Sequence, residues 1–118
     1  MIFKNKTSYK KGLLAEFLIS LYLQIIGYKI LEKRFKKKFG EIDLIAKKGS
    51  MLVFVEVKNR QNLADGLSSV LRKSQQRIVT TAGIYVQNHP EYAQATLRFD
   101  VVVLYSFLKI NHIKNAFS

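Results

Sequence analysis

Cysteine is absent from the 118 residues, which excludes a disulfide scaffold, a Cys-ligated zinc or iron–sulfur site and thiol catalysis. The absence also fits a reducing cytoplasm, the expected location. Histidine is nearly absent too: His89 and His112 are too few for a multi-histidine metal centre. One proline and six glycines leave no Pro-, Gly- or Ser-rich linker, and no repeat recurs at a period of about 20 to 50 residues. A single domain over 1–118 is therefore expected, with a core over about 9–105 and a tail at 106–118 that shows no clear period. Acid is the scarcest charge. Eight Asp and Glu stand against 20 Lys and Arg, a net charge of +12, and an excess of that size implies an anionic partner, most often nucleic acid.

What the chain does have is apolar residues, 48% of the total, with 12% aromatic, enough to bury a core and to argue against disorder. The stretch 13–27 is rich in Leu, Ile, Phe and Tyr and follows a basic start. It contains Glu16 and Gln24, falls short of the roughly 20 apolar residues of a membrane span and lacks a small-x-small cleavage site. It reads as a core helix, capped at Thr7 or Ser8, running to about Ile26 and stopped by Gly27, and no membrane association is expected. Leu14, Leu18, Leu21 and Ile25 form its main apolar stripe. Leu13, Ile19 and Leu23 surround the opposite face, where Glu16 sits.

Strand patterns follow at 28–35, 41–47 and 51–59, a helical pattern at about 66–88 ended by His89 and Pro90, and a last strand at 97–105. In the second strand Ile42, Leu44 and Ala46 fall on one face and Glu41, Asp43 and Ile45 on the other. The order αβββαβ predicts an α/β fold with a mixed four-stranded sheet flanked by helices, because a hairpin meander followed by a helical crossover gives both strand senses.

Three of the eight acids, Glu41, Asp43 and Glu56, lie in two adjacent strands, so register decides whether they meet. With Gly49 and Ser50 at the centre of a tight turn, Lys48 faces Met51 and paired positions sum to about 99, the register of a two-residue loop. Asp43 then lies opposite Glu56, with β-carbons about 4.5 to 5.5 Å apart, and Lys58 is on the same face about 6.5 to 7 Å further along. Two carboxylates facing each other on an apolar sheet repel unless a cation or a shared proton relieves them. Oxygen ligands without His or Cys favour a hard ion, Mg²⁺ or Mn²⁺, which binds phosphate oxygens readily. A lysine beside that ion can hold an attacking water and offset charge developing on phosphorus, which together describes a phosphodiesterase site.

The order acid, Asp43, then Glu56-Val57-Lys58 resembles the PD-(D/E)xK motif of restriction enzymes and Holliday-junction resolvases. The runs Gly40-Glu41-Ile42-Asp43-Leu44-Ile45-Ala46 and Leu52-Val53-Phe54-Val55-Glu56-Val57-Lys58-Asn59-Arg60 are more specific. With Ala15-Glu16, Gly27-Tyr28-Lys29-Ile30-Leu31, the 75–77 segment and Arg98-Phe99-Asp100-Val101-Val102, they look like the YraN family of small bacterial predicted endonucleases. The resemblance covers about 9–104. It implies a restriction-endonuclease-like core, a divalent metal and a DNA substrate, branched and single-stranded DNA being the candidates. It also implies Glu16, Asp43, Glu56, Lys58 and Gln75 as the catalytic set, with Asp43, Glu56 and Glu16 toward the metal. A homodimer is compatible with the sequence.

Half of the 20 basic residues fall in the first 40 positions. Lys10, Lys11, Lys33, Arg34, Lys36, Lys37 and Lys38, with Arg60, Lys73 and Arg77, are the candidate nucleic-acid contacts, suited to phosphate neutralisation rather than base reading. The rival reading is a non-catalytic nucleic-acid-binding module that keeps the nuclease fold. Its acids would serve as structural ion pairs, and exposed members of Phe35, Phe39, Tyr85 or Tyr92 would stack on bases.

Overall fold

The computed structural model describes the backbone of residues 2–64 and 72–117, and side chains over 10–64 and 75–117. The elements are α1 (Ile2–Ile25), β1 (Lys29–Lys37), β2 (Gly40–Lys48), β3 (Met51–Arg60), α2 (Arg72–Asn88), a 3₁₀ turn (Pro90–Tyr92), β4 (Thr96–Tyr105) and β5 (Lys109–Ile113). One sheet of order β1-β2-β3-β4-β5 results, parallel only between β3 and β4, which α2 connects. This is the restriction-endonuclease-like αβββαβ core with a fifth strand. The tail expected to be irregular pairs antiparallel to β4, Val101 with Ile113 through Tyr105 with Lys109. Part of the helical pattern, Leu67, Val70 and Leu71, lies outside the described residues. Among the described residues no helix is long and apolar enough to cross a membrane.

The helix start differs from expectation: the backbone is already helical at Ile2, so Thr7 and Ser8 lie within α1 rather than capping it. Its end is as read. Gly27 takes φ 102°, Tyr28 N–H donates to the Leu23 carbonyl at 2.9 Å and Gly27 N–H to that of Gln24 at 3.1 Å. This is a Schellman closure, which needs a left-handed residue where Gly27 stands. Lys48 Nζ donates to the Ile26 carbonyl at 2.9 Å, placing a cation where the helix dipole is negative.

The sheet separates two apolar layers. Ala15, Ile19 and Leu23 of α1 pack on Leu44, Ala46, Val53 and Val55; Ile78, Ala82 and Tyr85 of α2 pack on Ile42, Ile45, Leu52 and Phe54. The face of α1 that meets the sheet is therefore not the expected stripe. Leu14, Leu21 and Ile25 are exposed, and only Leu18 of that stripe joins the core margin. The smaller residue Ala15, in line with Ile19 and Leu23, lets the helix approach the sheet, and pairing of the helix with the sheet rather than apolar count decides which face is buried.

Gly40 opens β2 against α2: a β-carbon there would stand 2.7 Å from Thr81 Oγ1 and 3.2 Å from the Arg77 carbonyl oxygen. Gly40→Ala should cost about 1–3 kcal/mol through overpacking. Gly83→Ala, on the same helix with nothing within 4 Å, should instead stabilise by about 0.5–1 kcal/mol. Urea unfolding midpoints of the two variants check the contrast, and equal shifts would contradict the close contact.

Candidate functional site

The β2–β3 hairpin has the register that its turn residues impose, running from Lys48 opposite Met51 to Leu44 opposite Val55. One step beyond, regular pairing gives way to a side chain: Asp43 Oδ2 accepts the Val57 N–H at 2.8 Å. The expected alternation of β2 also fails here. Ile42 buries with Ile45 on the α2 side, whereas Leu44 and Ala46 bury on the α1 side, so the faces switch once, at Asp43. On the neighbouring strand, between the pairs Lys33–Leu44 and Phe35–Ile42, Arg34 takes the left-handed φ of 55°. A non-glycine residue held there costs of order 1–2 kcal/mol, a strain that occurs most often at functional sites.

This break gathers the acids. Asp43 and Glu56 border the same cleft, and burial, followed by the Glu56 charge, pushes the Asp43 carboxyl up to about 8. The Val57 N–H pulls the other way, and the Glu16 charge adds to the rise. Lys58 Nζ lies 3.6 Å from Glu56 Oε1. Glu16 of α1, Asp43 and Glu56 line one cleft of about 370 Å³ between α1 and the sheet, with Lys11, Asn59 and Arg60 at its rim. Glu56 also borders a smaller cleft on the α2 side, beside Phe39, Glu41 and Arg77. It thus sits at a fork between the two layers.

Glu16 is brought to the cleft but is already engaged: Arg34 Nε donates to its Oε1 at 3.1 Å. Arg34, expected on phosphate, thus serves first to hold an acid, and nothing in a lysine-rich run distinguishes that arginine beforehand. Among the described residues no three His, Cys, Asp or Glu side chains are arranged as a complete metal cage. The donor set is instead the Asp43–Glu56 pair. Two half-buried carboxylates on one cleft suit a hard divalent ion, and one or two carboxylates completed by waters and phosphate oxygens is the usual magnesium set.

Gln75 stands apart from this group. It lines a different groove with Val79, Thr80 and Phe117, because α2 presents that turn away from the β2–β3 fork. Lys10, Lys11, Lys33, Lys36, Lys37, Lys38, Arg60 and Arg77 are all exposed, and the side chain of Lys73 lies outside the described residues. Of the four candidate stacking aromatics, Phe35, Tyr85 and Tyr92 pack in or against the α2-side core. Phe39, at the β1–β2 hairpin tip, is exposed with Lys38 Nζ 5.5 Å from its ring centre.

A family model described as "Uncharacterised protein family UPF0102" matches residues 15–104. A UPF0102 protein of Mesorhizobium japonicum is 37% identical over 113 residues, 96% of this chain and 90% of the relative. Two from strains of Rhodopseudomonas palustris are 40% identical over 110 residues (93% and 85%) and 42% over 97 (82% and 75%).

Proposed function

The chain belongs to the uncharacterised protein family UPF0102, the YraN family, and from that premise we propose that it is a divalent-metal-dependent DNA endonuclease. The observation that carries the reading is the shared cleft of Asp43 and Glu56, with Asp43 desolvated beside the Glu56 charge, inside a chain of charge +12. Desolvating two acids against each other is costly and gains nothing for a phosphate binder, whereas it supplies a hard ion with ligands. Asp43 and Glu56 would hold Mg²⁺ or Mn²⁺; bound there, the ion supplies Lewis-acid polarisation of a phosphate oxygen and a more acidic water. Lys58, beside Glu56, offsets negative charge developing on the phosphorus oxygens. Glu16 acts through Arg34 and the cleft wall as a positioning group. Its pairing with Arg34, like that of Glu56 with Lys58, also favours the alternative, a non-catalytic binder whose acids are structural.

A melting experiment separates the two readings. Mg²⁺ should raise the melting temperature more than NaCl of equal ionic strength, and Asp43→Asn or Glu56→Gln should remove that excess. In EDTA the folded state holds the Asp43 proton up to about pH 8, against an ordinary 3.8. Stability from this group is complete below about pH 4 and is lost as pH rises toward 8. Metal-free Asp43→Asn should therefore melt above wild type at pH 8 and not at pH 4. No Mg²⁺-specific shift at any pH would favour the binder.

Phosphate neutralisation by the hairpin tip predicts steep salt dependence with little sequence preference. Replacing Lys36, Lys37 and Lys38 by Gln should weaken DNA binding and flatten the salt slope by up to about 3 units. Phe39→Trp adds the only tryptophan in the chain. Its fluorescence should be quenched by a single-stranded oligonucleotide through base stacking. An unchanged slope would assign the lysines to solubility, and absent quenching would leave Phe39 out of the DNA path.

A further inference from the structure

Helix α1 is apolar on both sides. Over residues 13–25 it carries one charge, Glu16, which is turned to Arg34 inside the cleft. With Ala15, Ile19 and Leu23 in the core, the opposite side leaves Leu13, Leu14, Phe17, Leu21 and Ile25 in solvent, Ile25 at 84% exposure. A helix that is hydrophobic all round is ordinarily covered all round. The patch does not end with the helix. Leu21 and Ile25 form a groove of about 280 Å³ with Leu18, Tyr22 and Leu108, the last from the β4–β5 turn. Phe107 of that turn is 96% exposed.

The turn itself is built against local preference. Ser106 and Phe107 both take left-handed backbone, φ 46° and 75°, positions where Gly, Asn or Asp is usual. Here the chain places a phenyl ring in water on strained backbone, and conflicts of that kind collect at functional surfaces.

We propose that this face, α1 from Leu13 to Ile25 with the 106–108 turn, is the interface of a two-fold dimer of the chain. Three features select a second copy. First, the seven side chains leave about four whole large apolar side chains uncovered, roughly 600–1,000 Å² at the 150–250 Å² of a large side chain, a range that contains the ~800 Å² per partner of a stable interface. Second, the face holds both a protruding ring and a groove, as a two-fold contact requires. A cavity of about 150 Å³ already accepts a benzene ring, so the groove has room for the partner's ring. Third, the helix face carries no cation over residues 13–25, so two chains of +12 can meet there with the exposed Lys10 left at its N-terminal margin. Adsorption to a lipid surface instead draws on Lys and Arg along the length of the helix flanks, whereas the lysines of α1 are confined to the residues before Leu13 and none falls within 13–25. The dimer leaves both acid clefts open, since Glu16 faces the other way on α1, and it does not depend on the nuclease reading.

Sedimentation equilibrium of the full chain, without nucleic acid or lipid, tests the proposal between about 1 and 100 μM. The expected mass is twice the 13.6 kDa of the chain, with association strengthening as NaCl rises, because salt screens the repulsion between like-charged copies. Ile25→Lys and Phe107→Asp should each weaken dimerisation at least about 100-fold with circular dichroism unchanged. Val79→Asp, at an exposed apolar site on α2, should leave it intact. Phe107 lies in a fully exposed turn, so its substitution remains informative if Ile25→Lys fails to fold. A wild type that is monomeric at 100 μM overturns the proposal, whether or not it binds phospholipid vesicles, and so does a dimer that persists in both variants.

Discussion

Asp43→Ala and Glu56→Ala should each lose about 10²–10⁴-fold in the rate of DNA cleavage in Mg²⁺ or Mn²⁺, the several kcal/mol that a metal ion contributes to such a transition state. Binding measured in Ca²⁺ or EDTA should stay equal or tighten. Each substitution removes negative charge beside the phosphate path, and Asp43→Ala also ends the costly confrontation with Glu56. Lys58→Ala should separate from these two. Cleavage should fall comparably, because a cation placed where charge develops is lost, but affinity should drop slightly, and the metal-dependent rise in melting temperature should persist because Asp43 and Glu56 remain. The measurement is paired: cleavage rate and affinity for wild type and the three variants on branched, single-stranded and duplex DNA. If wild type cuts none of them, or if cutting survives all three substitutions, the Asp43–Glu56 site is not a nuclease centre, and the binding module is the remaining reading.

Asp100→Ala should be the most destabilising single substitution away from the cleft. The Asp100 side chain is fully buried in β4, yet its oxygens are saturated. Arg98 donates at 2.8 and 2.7 Å, His112 Nε2 lies at 2.7 Å, and the Asn115 N–H donates at 3.0 Å. Arg98 also reaches the Tyr28 hydroxyl at 2.6 Å, and Tyr22 of α1 meets His112 Nδ1 at 3.0 Å. The network thus fastens β5 and α1, the helix that carries Glu16, to the sheet. Removing the carboxylate leaves a partly buried guanidinium and imidazole without their acceptor, at a cost of about 3–5 kcal/mol, or roughly 10 °C or more in melting temperature. The same substitution in an Arg98→Met background should cost markedly less, since the orphaned charge is gone.

This group also sets an acid limit. Burial alone would raise the Asp100 carboxyl, but the bonds from His112, Arg98 and the Asn115 N–H outweigh it and hold it at about 2. Its contribution is present above about pH 4, the unfolded value, and is lost as pH falls toward 2. A chain with Asp100→Asn should lack that part of the acid transition while keeping the rest. An Asp100→Ala variant that melts with wild type would show that the network is solvated and contributes little.

The sequence determined whatever short-range chemistry controls. Gly49-Ser50 set the hairpin register because a tight turn of fixed length leaves one pairing, and that register carries Asp43 to Glu56 and Lys58. Gly27 ended α1 because only a residue at ease with positive φ closes that turn. The αβββαβ order followed from periods of 2 and 3.6. Tertiary structure decided the rest. Which side of α1 is buried depended on the fit of Ala15, Ile19 and Leu23 to the sheet, since both sides are apolar. β5 formed in a tail without periodicity because β4 offered an open edge, and because Asp100 anchors His112 and Asn115. The alternation of β2 broke at Asp43 because Arg34, on the neighbouring strand, takes a left-handed turn and pairs with Glu16, 18 residues away in the chain. Propensity and period register neighbours along the chain; these partners meet only across it, where packing and charge pairing outweigh local preference.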